Sequence, residues 1–141
     1  MNKRFISFLL IIVLILPFFT CGAYSASNTK VKVTLQSVDC IENNHVGNEW
    51  GYGATVNKKS IYEGQTVEIS TSPNSKITIV STAEEDDNYP DYGSKTLTVS
   101  VSKLKASTST KYTSNVTVTE NRGRYSGNSA VWKFTYVIKK K

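Results

Sequence analysis

The amino-acid sequence predicts an all-β fold, a single antiparallel β-sandwich of about seven to eight strands, and three observations carry that expectation. Apolar residues recur with period two in short runs, turn-forming clusters separate the runs at regular intervals, and no long stretch past the N-terminal segment shows helical three-and-four spacing. Threonine, serine, valine and tyrosine are frequent throughout, and such side chains suit a pleated, half-buried surface.

Val31, Val33 and Leu35 alternate with Lys32, Thr34 and Gln36, which marks a strand with one buried face. The pattern returns over residues 52–56, at Val67 and Ile69, at Ile77 and Ile79, at Leu97, Val99 and Val101, at Val116 and Val118, and over 131–138. Turn clusters fall between them: Asn57-Lys58-Lys59, Glu63-Gly64-Gln65, Ser72-Pro73-Asn74-Ser75, an acidic segment over 84–93, and residues 121–128 with two glycines. A closed barrel would satisfy the same pattern, but this many strands in so short a domain favours two sheets packed face to face. By parity Trp132, Phe134 and Tyr136 share one face, expected to point inward with Tyr52, while Val131, Lys133, Thr135 and Val137 share the other.

Lys3 and Arg4 precede an apolar run over residues 5–19, broken only by Ser7 and Pro17. Its 15 residues fall short of a membrane-spanning helix, which needs roughly 20, so residues 1–25 read as a cleavable signal peptide of a secreted protein. Ala23 and Ser25 place the cut before Ala26, whereas Ser25 and Ser27 would place it before Asn28. The alternative is a lipid anchor at Cys21 on the outer face of the membrane, although Thr20 and Phe18 stand where the lipoprotein pattern has a small and an aliphatic residue. A flexible leader over 26–30, a sandwich over 31–138 and a basic tail over 139–141 complete the expected organisation.

Cleavage before Ala26 leaves 116 residues, enough for one modest core, with no transmembrane segment and a net charge of +4. So mild a charge is no nucleic-acid footprint. Cys40 alone survives cleavage, which excludes an internal disulfide, and it reads as a small buried apolar residue after the first strand.

The densest chemistry is the run Glu84-Glu85-Asp86-Asp87-Asn88-Tyr89-Pro90-Asp91. Clustered carboxylates repel unless a cation joins them, and calcium takes six to eight oxygen ligands of this kind. Glu84, Glu85, Asp86, Asp87 and Asp91 are therefore the candidate metal ligands, with Glu120 added because a simple meander brings the segments 84–93 and 120–128 to one end. A solvated acidic connector is the alternative. Zinc is disfavoured by a single histidine and a single thiol. A second polar segment over 39–49 carries His45, read as a surface histidine, and closes on Trp50, read as core or rim or, beside Tyr52, as a platform for a sugar. The third loop presents Arg122, Arg124 and Tyr125, residue types common in protein interfaces, unless an arginine pairs with the acidic segment instead. There is no P-loop, dinucleotide fingerprint, nucleophile elbow or metalloprotease helix, hence no catalytic signature.

Together, the signal segment, the Val-Gly-Asn-Glu-Trp turn at 46–50, the Glu-Asp-Asp-Asn-Tyr-Pro-Asp segment at 85–91 and Glu-Asn-Arg-Gly-Arg-Tyr at 120–125 resemble small secreted β-sandwich proteins of Gram-positive bacteria. More distantly the plan resembles calcium-dependent C2-type sandwiches, whose acidic end loops hold calcium and meet membranes, although the regular aspartate spacing of those loops is missing here. The expectation is a secreted, non-enzymatic binding module, with calcium as its candidate cofactor, contacting a cell-wall polymer or a protein. A small bacteriocin-like toxin and a carboxylate-dependent hydrolase are the alternatives. Mass spectrometry of the exported protein should find Ala26 at its N-terminus; a chain still beginning at Met1 contradicts the signal-peptide reading, and a lipidated Cys21 establishes the anchored alternative.

Overall fold

A computed structural model describes residues 28–141. The signal segment, its cleavage site and Cys21 lie outside the described residues. Eight strands follow in order: β1 Thr29–Asn43, β2 Trp50–Val56, β3 Lys59–Ser60, β4 Thr66–Thr71, β5 Lys76–Glu85, β6 Asp91–Ser100, β7 Ser109–Thr119 and β8 Ser129–Lys140. They form two four-stranded antiparallel sheets, β4-β1-β8-β7 and β3-β2-β5-β6, packed as a β-sandwich. A three-residue 3-10 turn, Val101–Lys103, lies between β6 and β7, so Val101 starts that turn rather than ending a strand.

The chain makes three hairpins, β2-β3, β5-β6 and β7-β8, and passes from one sheet to the other between them. Asn57 and Lys58 both take positive φ at the first hairpin, the backbone a tight two-residue turn requires. The passage from β6 to β7 is a crossover, yet each strand still reverses direction, so the β1-β2, β5-β6 and β7-β8 connections collect at one end.

Alternation fills the core as parity predicts. Val31, Val33 and Leu35 from β1, Val116 and Val118 from β7, and Phe134, Tyr136 and Ile138 from β8 meet Val56, Ile77, Ile79, Ala83 and Val99 from the facing sheet. The Tyr136 hydroxyl would be orphaned there, and it bonds Ser81 Oγ across the sheets at 2.8 Å.

Several boundaries differ from the sequence reading. β1 runs to Asn43 because β8 offers it main-chain partners over that whole length, so the polar segment expected to begin at Asp39 is a connection over 44–49 only. Register shifts between Leu35 and Ser37 and between Cys40 and Glu42 interrupt the alternation of β1. Cys40, paired opposite Trp132, is therefore exposed rather than buried. Hairpin pairing from Glu84–Tyr92 and Glu85–Asp91 likewise reduces the acidic loop to residues 86–90. Tyr52 lies against Trp132 and Phe134 but stays exposed at the margin of the sandwich.

Strand pairing reaches both ends of the described residues. Thr29 and Lys30 belong to β1, Lys139 and Lys140 belong to β8, and Lys141 N donates to Lys30 O at 2.9 Å. Glu68 takes both Lys30 (3.4 Å) and Lys141 (3.0 Å), which hold its carboxyl below the ordinary value.

The sheets are in close contact at Gly93 of β6, where an added Cβ would run into the Thr117 carbonyl and Val116 of β7. Backbone cannot yield as a flexible side chain can. Gly93→Ala should cost about 2 kcal/mol, the usual scale for overpacking a core, measurable as a lower denaturant midpoint in urea.

Candidate functional site

Three connections build the loop end: residues 44–49, 86–90 and 120–128. Asn43 shapes the first, its Oδ1 accepting from Val46 N and its Nδ2 donating to Gly47 O, both at 2.9 Å. This folds the fully buried Val46 beneath the loop and lifts His45 onto its surface with φ +56°. Asp87 Oδ1 accepts from Tyr89 N in the second. In the third, Glu120 N and Gly127 N close the turn on Asn128 O and Glu120 O at 2.9 and 2.8 Å, while Glu120 Oε1 accepts from Arg122 N at 3.3 Å.

The second and third connections meet, although β6 passes to β7 by a crossover and not by the turn of a simple meander. Asp91 is buried at the base of its hairpin and accepts both Asn121 Nδ2 at 2.6 Å and Asn121 N at 3.2 Å. On top, the Arg122 guanidinium lies over the Tyr89 ring at 4.7 Å, and His45 stacks on Tyr125 at 5.1 Å with 18° between the rings. Arg124 sits 5.8 Å from the Tyr125 ring. Among the described residues neither arginine forms an ion pair with the acidic segment, so stacking takes the place of the expected charge pairing. Three connections thus contribute two aromatic-polar stacks to one surface.

Glu85 lies beneath them, only 4% exposed, at the inward end of β5. Gly47, at φ +45°, passes directly over it, and a Cβ there would run into the Glu85 carboxyl. Glu85 Oε2 is buried without a hydrogen-bond partner. Burial first, and then the charges of Asp87, Glu120, Asp91 and Glu49, push its carboxyl above the ordinary value.

The six expected metal ligands do not converge as a set. Glu84 and Glu85 are neighbours on one strand, so their side chains leave on opposite faces: Glu85 points into the sandwich and Glu84 is exposed on the outside. Asp86 is exposed in the loop, Asp87, Asp91 and Glu120 each accept from a local N–H donor, and of the six Glu85 alone has a buried oxygen without a partner. No three such side chains are placed to hold an ion among the described residues, so this donor set does not fit calcium. Trp50 is at the rim of the core, half-buried against Trp132 at 5.3 Å, and takes no part in the two stacks. Tyr89 and His45 are contributors that the sequence did not assign to a site, His45 having been read only as a surface histidine. Their signal was an aromatic or imidazole ring inside a connection, which is hard to separate from any exposed side chain.

No protein-family model matches the chain, and no curated protein does. Among solved structures, a C2 domain of plant extended synaptotagmin 1 is similar over 80% of this chain and 94% of its own, at 10% identity and a TM-score of 0.47.

The raised Glu85 carboxyl sets a pH dependence. A carboxyl whose pKa is higher folded than unfolded contributes stability that is complete below its unfolded value and lost as pH rises through the folded one. The melting temperature of wild type relative to Glu85→Gln should therefore fall as pH climbs from the ordinary carboxylate range, leaving the variant the more stable at neutral pH. Parallel melting curves across that range would show that Glu85 is not buried in its charged form.

Proposed function

We propose that this chain is a secreted, non-enzymatic binding module that meets an extracellular protein through its loop end. The observation that carries the reading is the convergence of Arg122 on Tyr89 and of His45 on Tyr125 from three separate connections. Tyr89 is 64% exposed, so its ring is presented to solvent while the stacked guanidinium restrains it. Tyrosine and arginine are enriched where proteins bind one another, and a pre-ordered pair loses less side-chain freedom on contact. The part-buried hydrogen bonds from Asn121 to Asp91 fix the platform below, so the surface is assembled before any partner arrives. Secretion rests on the charged start and the 15-residue apolar run of the sequence. The reading needs no bound calcium, because the carboxylates under the surface are largely held by the protein's own N–H groups.

Adhesion of the purified protein to the surface of the cells that export it tests this, with protease-treated cells as the comparison. Arg122→Ala and Tyr89→Ala should each weaken adhesion to untreated cells roughly thirtyfold, about 2 kcal/mol, at unchanged melting temperature. Variants that adhere as wild type does would dismiss the loop end as the contact surface. Adhesion that survives protease treatment would dismiss a protein partner.

A further inference from the structure

The outward face of the β3-β2-β5-β6 sheet is hollow along its length. Hollows of about 510, 200 and 310 Å³ adjoin one another there. The first shares Thr55 and Val80 with the second, and the second shares Gly53 and Thr82 with the third, so they form one trough. Gly51 and Gly53 open its near part. They occupy successive outward positions of β2, opposite Glu84 and Thr82 of β5, and leave β2 without side chains there, while Thr55, Thr78 and Val80 floor the far part. Tyr62 lines the second hollow and Tyr92 the third, 66% and 61% exposed. Lys58 and Lys76 line the far end, whereas Glu84 lines the near one.

We infer that this trough binds an extended glycan chain carrying acidic groups, independently of the loop end. A tyrosine ring offers an apolar face for the C–H side of a sugar, and the threonines of the floor offer hydroxyls for its polar edge. From Lys76 to Glu84 the strand advances eight residues, about 26 Å at about 3.3 Å per residue, room for on the order of five sugar rings. Charge gives the trough a polarity. Two lysines attract a carboxylate or sulfate at one end, and Glu84 repels it at the other. An added peptide strand fits poorly, because the main chain of the floor is already paired from β2 through β5 to β6 and sheet faces expose no ladder. A lipid surface fits poorly as well, since the apolar side chains among the lining, Ala54, Ile61 and Val80, lie in the recessed floor and are not raised to insert into a bilayer.

Calorimetric titration of the protein with linear acidic oligosaccharides (fragments of polygalacturonate, alginate and hyaluronan), with methyl-esterified polygalacturonate fragments and with anionic phospholipid vesicles tests the inference. At least one acidic chain should bind. Tyr92→Ala and Tyr62→Ala should each weaken it about tenfold or more, and the double change Lys58→Ala/Lys76→Ala should weaken acidic chains while leaving the esterified one unchanged. Gly51→Leu is the blocking variant: a Cβ at Gly51 meets nothing within 4 Å, so the fold is kept and the trough filled. Arg122→Ala should bind sugar as wild type does, which separates this surface from the loop end. The inference fails if no sugar chain binds, if Gly51→Leu binds as well as wild type, or if vesicles bind through the lysines while sugar chains do not.

Discussion

The main-chain pairing of β8, with β1 on one side and β7 on the other, is the constraint on which the rest of the structure depends. It runs almost unbroken from Ser129 to Lys140, and it carries Phe134, Tyr136 and Ile138 into the core. A backbone that can pair over its full length does so, because an unpaired buried peptide group is costly. That preference draws β1 out to Asn43 through two register shifts, against a polar composition. The connection to β2 is shortened to six residues as a result, short enough to hold His45 over the neighbouring loop.

Two buried polar groups at different depths show how the sandwich handles what it cannot make apolar. Tyr136 and Ser81 satisfy each other across the sheets, a neutral pair, and burial raises the tyrosine further above its ordinary value. Glu85 has no such partner for its Oε2 and is surrounded by like charge. The first group ties the sheets together in the middle. The second leaves the end of the molecule short of its best stability in the charged state, in the same place as the surface assigned to binding, where natural proteins commonly depart from ideal packing.

Much of the fold was legible because period two is unambiguous where one face is buried: Val31, Val33 and Leu35, or Phe134, Tyr136 and Ile138, declare their face outright. Parity fails where a bulge intervenes, which is why Cys40 comes out exposed, and it gives a side chain's face but not its depth, which is why Tyr52 points toward Trp132 and Phe134 of the facing sheet and still comes out exposed at the margin. The candidate site was half legible. That the second and third loops share an end followed from counting reversals, and Asp91 and Asn121 bond across them. Treating residues 84–93 as a loop, however, hid the alternation that sends Glu84 to one face and Glu85 to the other, and with it the reason these two cannot serve one site. The trough depends on side chains that are missing, at Gly51 and Gly53, and a missing side chain tells the sequence reader only that the backbone is free.

The hydrogen bond from Lys141 to Lys30 and the shared grip of both lysines on Glu68 place the first and last described strands' outer ends side by side, at the pole opposite the three connections. Any cargo, dye or neighbouring domain joined at either of those ends projects away from the stacked rings, and a short linker could join the two into a ring. The molecule therefore has a handle at one pole and the proposed contact surface at the other, with the hollow sheet running along the shaft between them.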